Sequence, residues 1–249
     1  MSTTPPPLPP TTMQPPPSPA KSGIPRPLII VGVVGVIVVG IAVLAGIAAP
    51  VFLRMRKKGD QVMAMSSGKA MVLALTDFQF EYGSFPDRET AKLVAAKTRT
   101  QLDLGSDTSN DYFRQLIAAG IARSEDPFWA ITPYLPMRPD NNITGSEALK
   151  PGEVGFGYIM NGDHSLGNDN PDRIIAVTPL FNAQTSGEFD PRPLDSKAVV
   201  VYLDGSVKAV TISPDRKLGL GKGKTLLDTG ADTIWGAGVT PVIKAPKKR

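Results

Sequence analysis

Apolar residues fall along this chain with three different periods, and each period predicts a different element. From Leu28 to Leu53 there is no charged side chain, and Leu28–Ala49 is a run of 22 apolar or glycine residues before Pro50. At ~1.5 Å rise per residue such a run reaches about 33 Å, the depth of a hydrocarbon core. It predicts a transmembrane helix over 28–53. The period then changes. Met71, Leu75, Phe78 and Tyr82 recur at spacings of four, three and four, which is one face of an α-helix. No proline interrupts residues 51–85, and Gly83 followed by Pro86 marks a helix end. One helix is expected from about Leu28 to Tyr82, its first half in lipid and its second half packed on a domain.

Shorter elements follow. Thr90–Thr100 is rich in Ala and Lys and predicts a helix. Asn110 or Asp111 can cap a second one running to about Ala119, with Tyr112, Phe113, Leu116 and Ile117 as its apolar face and Gly120 ending it. Residues 127–152 hold five prolines and the pair Asn141–Asn142, so they predict a loop. From Glu153 the period shortens to that of strands. Val154–Met160, Arg173–Leu180, Ala198–Leu203 and Val207–Ile212 are β-rich runs bounded by turn residues. Asp204–Gly205 between the last two is a hairpin signal, because glycine readily takes positive φ.

Composition sharpens the boundaries. Residues 1–27 hold 11 of the 25 prolines and no aromatic residue, so they cannot bury a core and predict a disordered Pro-rich tail. Residues 214–249 are rich in Gly and Lys and predict a loosely ordered tail, with Trp235 as the one docking side chain. The expected organisation is 1–27 tail, 28–53 transmembrane helix, 54–213 domain and 214–249 tail. The fold class is α+β: a long N-terminal helix, with a membrane half and an amphipathic half, packed on a small antiparallel sheet of about four strands.

Charge and chemistry exclude more than they assign. The net charge of +4 is mild and dispersed, which argues against a nucleic-acid partner. No Cys excludes thiolate metal sites and thiol nucleophiles, and a single His makes His-dependent catalysis and multi-His metal sites unexpected. Gly219–Thr225 approaches a phosphate loop, but Leu218 stands where its first glycine is needed. Ser66 and Lys69 have Ser-x-x-Lys spacing without the accompanying motifs of such hydrolases, so a polar helix face is expected. Asp163, Asn168, Asp169, Asn170 and Asp172 offer oxygen ligands of the kind Ca²⁺ takes, yet lack the EF-hand spacing and read as turn chemistry, with His164 solvated among them. Asn142-Ile-Thr144 fits a glycosylation acceptor and reads as loop sequence. No catalytic, cofactor or metal site is assigned, and no cofactor is expected.

The order of elements resembles that of type IV pilins and type II secretion pseudopilins. Ile47–Lys58 resembles the family's proline-containing exit from the membrane, and Ser67–Pro86 its helix end, where Tyr-Gly-Ser-Phe-Pro leaves the helix. Ala198–Lys208 resembles the strand–Asp-Gly-Ser-Val–strand hairpin of the pilin-like H-x9-DG bacterial proteins. The chain departs from the family in three ways. It has no prepilin cleavage site before Leu28 and no Glu in the span. Leu194 stands where the H-x9-DG His belongs, and the Pro-rich lead is longer than a prepilin leader.

The resemblance implies a non-enzymatic, single-pass membrane-anchored protein, a structural or interaction component of a secretion or envelope system. The alternative is an anchored module that binds a ligand or partner unrelated to secretion. Expected partners are the lipid bilayer and other pilin-like or secretion proteins. The expected location is the bacterial inner membrane with the C-terminal domain outside. Arg54, Arg56, Lys57 and Lys58 after the span, against Lys21 and Arg26 before it, argue for the opposite orientation.

Overall fold

The computed structural model describes residues 26–134 and 138–249; within 26–50 it describes the backbone and the side chains at 46 and 49 only. The chain separates into two compact units, Met1–Pro50 and Val51–Arg249. What is described of the first is helical backbone, the opening of a helix, α1, that spans Arg26–Tyr82. The Pro-rich tail expected over 1–27 lies, up to residue 25, outside the described residues. The transmembrane helix expected over 28–53 is corrected: among the described residues, no helix is long and apolar enough to cross a membrane.

The second unit is α+β. After α1 come α2 (Arg88–Thr98) and α3 (Ser109–Ala118), then β1 (Gly157–Asn161), β2 (Ile174–Thr178), β3 (Lys197–Tyr202), β4 (Val207–Thr211) and β5 (Pro241–Lys244). All pairings are antiparallel, and the order across the sheet is β4-β3-β2-β1-β5. The expected class holds, but the sheet has five strands where four were expected. Between β3 and β4, Gly205 takes φ +81° and the Asp204 carboxylate accepts the Ser206 amide at 2.7 Å, closing the hairpin that Asp-Gly signalled.

The last part of α1 forms one wall of the core. Ala64, Met71, Val72, Leu75 and Phe78 are buried, and Tyr82 is half-buried. A Cβ on Gly68 would lie 3.0 Å from a Val201 methyl and 3.3 Å from a Val207 methyl. Glycine is therefore the residue that lets helix backbone approach β3 and β4 this closely. The helix stops where glycine makes it cheap: Gly83 takes φ +85° and donates its amide to the Gln79 carbonyl at 2.8 Å.

Asp87 opens α2, its carboxylate accepting the amides of Glu89 and Thr90 at 2.9 and 2.8 Å, while the Thr90 hydroxyl oxygen accepts the Asp87 amide at 2.8 Å. Gln115 of α3 joins the two helices: its amide donates to the Asp87 carbonyl at 2.8 Å, and its carbonyl accepts the Thr90 hydroxyl at 2.7 Å. α3 lies on β1 through rings: Phe113 stacks on Phe128 at 4.9 Å, and meets Tyr158 edge-on at 5.5 Å.

Within residues 214–249, expected to be a loosely ordered tail, Pro241–Lys244 joins the sheet as β5. β5 pairs with β1 from Asn161↔Pro241 to Tyr158↔Lys244. Trp235 is fully buried, its indole N–H donating to the Leu226 carbonyl at 2.8 Å. The buried Arg173 guanidinium donates to the Trp235 carbonyl at 2.9 and 3.1 Å and pairs with Asp169. Beyond β5, the Lys247 amide donates to the Asn110 side chain at 2.8 Å and the Lys247 carbonyl accepts the Gly152 amide at 2.9 Å.

Candidate functional site

The second unit presents two features that its packing does not explain: an apolar outer face on α1 and a group of three carboxylates.

The outer face has the same spacing as the buried one. Phe52, Met55, Val62, Leu73 and Phe80 are exposed, with Leu73 at 66% and Phe80 at 94% of full exposure. Gly59, Ser66, Lys69 and Thr76 fall between them and are exposed as well. Positions 52, 55, 59, 62, 66, 69, 73, 76 and 80 alternate steps of three and four, the seam of a coiled coil. From Val62 onward each lies two residues upstream of a position on the inward face (62 before 64, 66 before 68, 69 before 71, 73 before 75, 76 before 78). Two residues are about 200° of helical turn, so the two stripes sit on opposite sides. Soluble monomers rarely leave large apolar side chains aligned in this way, and such an alignment marks an interaction surface. Charge is also divided along the flanks of this face: Arg56 and Lys58 at one end, Asp77 at the other, all exposed. Glu81 pairs with Lys97 of α2 at 2.5 Å.

Glu125, Asp140 and Glu153 bring one carboxylate oxygen each to within 4.8 Å of the others. Glu125 is fully buried. It accepts the Leu149 amide at 2.5 Å and the Asn141 amide at 2.9 Å, and so ties the 140–150 loop to the turn at Asp126–Phe128. Burial pushes its carboxyl up, the Leu149 amide draws it partly back, and Glu153 and Asp140 push it up again, to about 7. The other two acids have partners: Asp140 pairs with Lys150 at 2.9 Å, and Glu153 accepts the Lys150 amide at 2.6 Å. Asp140 and Glu153 line a cavity of about 210 Å³ together with Tyr134, Arg138, Lys150 and Arg249.

The residues singled out in the sequence lie elsewhere and are not brought together as a reactive site. Ser66 and Lys69 stand on the outer face of α1, exposed. Gly219–Thr225 is a tight turn, with positive φ at Gly221, Lys222 and Gly223 and the Lys224 amide returning to the Gly221 carbonyl; no helix follows whose N-terminus could face a phosphate. In the 161–172 loop three of the five oxygen groups have partners in the fold. Asp169 pairs with Arg173, Asn170 donates to the Ile234 carbonyl at 2.8 Å and accepts the Asp172 amide at 3.0 Å, and Asp163 lies 3.6 Å from the Lys244 ammonium. His164 is exposed. The Asn142 side chain accepts the Thr144 hydroxyl at 2.8 Å, an ordinary loop contact. Among the described residues, the carboxylate group at Glu125 is the one acidic cluster close enough for a shared ion. No local sequence signal marks it, because its members come from three separate segments.

No protein-family model matches the chain, and no curated protein or solved structure is significantly similar to it. The absence of a membrane-crossing helix among the described residues corrects the expected transmembrane span, and the comparisons lend no support to the pilin, pseudopilin or secretion assignments.

Proposed function

We propose that this chain is a non-enzymatic structural or interaction protein whose working surface is the outer face of α1 from Phe52 to Phe80. The observation that carries the reading is the aligned exposure of Phe52, Met55, Val62, Leu73 and Phe80 on a helix whose opposite side packs on the domain from Ala64 onward. A helix held rigid on one side loses little entropy when its other side is bound. The order long helix, then antiparallel sheet, is the part of the pilin resemblance this reading keeps; the membrane anchor is not part of it.

Photocrosslinking tests the proposal. A photoreactive residue placed at position 73 or 80 of the full chain in its native cells should give discrete protein adducts. The same residue at position 92, exposed on α2, should give none. No adduct at 73 or 80, or the same diffuse pattern at all three, would refute an α1 interaction surface.

A further inference from the structure

The outer face of α1 is its own complement when read in the opposite direction. In an antiparallel pairing of two such helices, seam positions meet in layers whose residue numbers add to a constant. With Phe80 beside Met55 of a second copy, Leu73 falls beside Val62, Thr76 beside Gly59, and Lys69 beside Ser66. Large apolar side chains thus meet large apolar side chains, and small or polar positions meet small or polar ones. The charges agree with the same direction. One end of the face is flanked by exposed Arg56 and Lys58, the other by exposed Asp77. Antiparallel pairing puts each basic end against the other copy's acidic end, with Arg56 flanking the seam opposite Asp77. Parallel pairing would set basic against basic and acidic against acidic, which is repulsive.

We propose that a second copy of this chain docks on α1, face to face and antiparallel, over residues 52–80. This rests on the reading of α1 as an interaction surface and names its partner. The length involved, about 42 Å of helix at ~1.5 Å per residue, is enough for eight seam layers to form. Lys69 is the one charged side chain in the seam. A lone polar residue there fixes register and orientation while weakening the pair, so the association is reversible.

The full chain contains no cysteine, so single cysteines report proximity without background. In the pairing above, positions 55 and 80 of opposite copies adjoin, while the two copies of position 55 lie about 38 Å apart along the axis. A mixture of Met55→Cys and Phe80→Cys chains should form disulfide-linked dimers on mild oxidation, and either chain alone should not. Crosslinking of Met55→Cys alone would overturn the antiparallel direction.

Sedimentation of the full chain tests the charges. Arg56→Glu and Asp77→Arg should each weaken self-association by about tenfold, and the double exchange should restore it. Lys69→Leu should strengthen association by about tenfold. All three positions are exposed, and unchanged thermal unfolding of the monomer confirms that folding is intact. A chain that stays monomeric at high concentration, with no mixed disulfide, overturns the self-pairing. If positions 73 and 80 still crosslink to a different protein in cells, the interaction surface stands and only the partner is wrong. If they crosslink to nothing, both readings fail.

Discussion

The two faces of α1 beyond Val51 share a spacing and differ in fate. Phe78 and Phe80 are two residues apart; one is wholly buried and the other is 94% exposed. Spacing alone therefore says that a helix has two usable faces, not which one builds the domain. Gly68 shows what decides. On the inner face a glycine permits contact with Val201 and Val207; on the outer face Gly59 has nothing within 4 Å of where a Cβ would stand. The inner face was selected by the fit of a strand pair, and the outer face was left apolar without a neighbour in the same chain.

Substitutions can break this comparison in order of expected size. Phe78→Ala should cost about 3–5 kcal/mol of stability in chemical unfolding, the transfer and cavity cost of a buried phenyl ring. Phe80→Ala should change monomer stability by less than about 0.5 kcal/mol. Equal losses from the two would mean that both faces are core. Gly68→Leu comes next, at about 1–3 kcal/mol of overpacking against Val201 and Val207. If it unfolds at the same denaturant concentration as the parent chain, α1 does not rest on β3 and β4.

A different buried group sharpens the contrast between inside and outside. The Glu125 carboxyl is raised from 4.5 to about 7 by burial in the folded chain. Between those values the folded state holds a proton that the unfolded state has released. Its contribution to stability is therefore full below about pH 4.5 and is lost as pH rises through about 7. Urea unfolding at pH 5 and pH 8 should differ, with Glu125 contributing on the order of 1–3 kcal/mol, and Glu125→Gln should reduce that difference. An unaltered difference in the variant would place the pH dependence elsewhere. A small gain belongs to the outer face: Gly59→Ala should stabilise the monomer by about 0.5–1 kcal/mol through helix propensity alone, as read by the thermal midpoint. A loss there would indicate that the helix is already crowded at position 59.

Local signals in the sequence were read correctly where local physics decides. The Met71–Leu75–Phe78 stripe, the Asp204–Gly205 hairpin and the existence of two short helices, at 88–98 and 109–118, follow from spacing and turn residues, although the caps are Asp87 and Thr108 where Asn110 or Asp111 was expected to cap the second. β5 could not be read that way. Pro-Val-Ile-Lys is four residues long, opens with a proline and lies in a Gly/Lys-rich stretch; it is a strand because β1 supplies its hydrogen-bond partners. Glu125 was equally hidden. Ser-Glu-Asp-Pro looks like an exposed turn, and its carboxylate becomes buried only because Asn141 and Leu149 fold over it. Leu73 and Phe80 on the outer face of α1 have the same spacing as the core stripe, and spacing alone does not separate an exposed stripe from a buried one.

The pairing of β5 with β1 has a consequence for the order in which the domain forms. β3 and β4 are neighbours along the chain and can meet early, whereas Tyr158 must wait for Lys244. Contacts that close a loop of this length form late and slow the overall reaction. Until they do, β1 presents a free edge of buried, apolar strand, the kind of template on which unfinished chains stick to one another. Refolding should thus be limited by arrival of the last strand, and dilution or a bound chaperone should raise the yield more than any gain in the strength of the finished core.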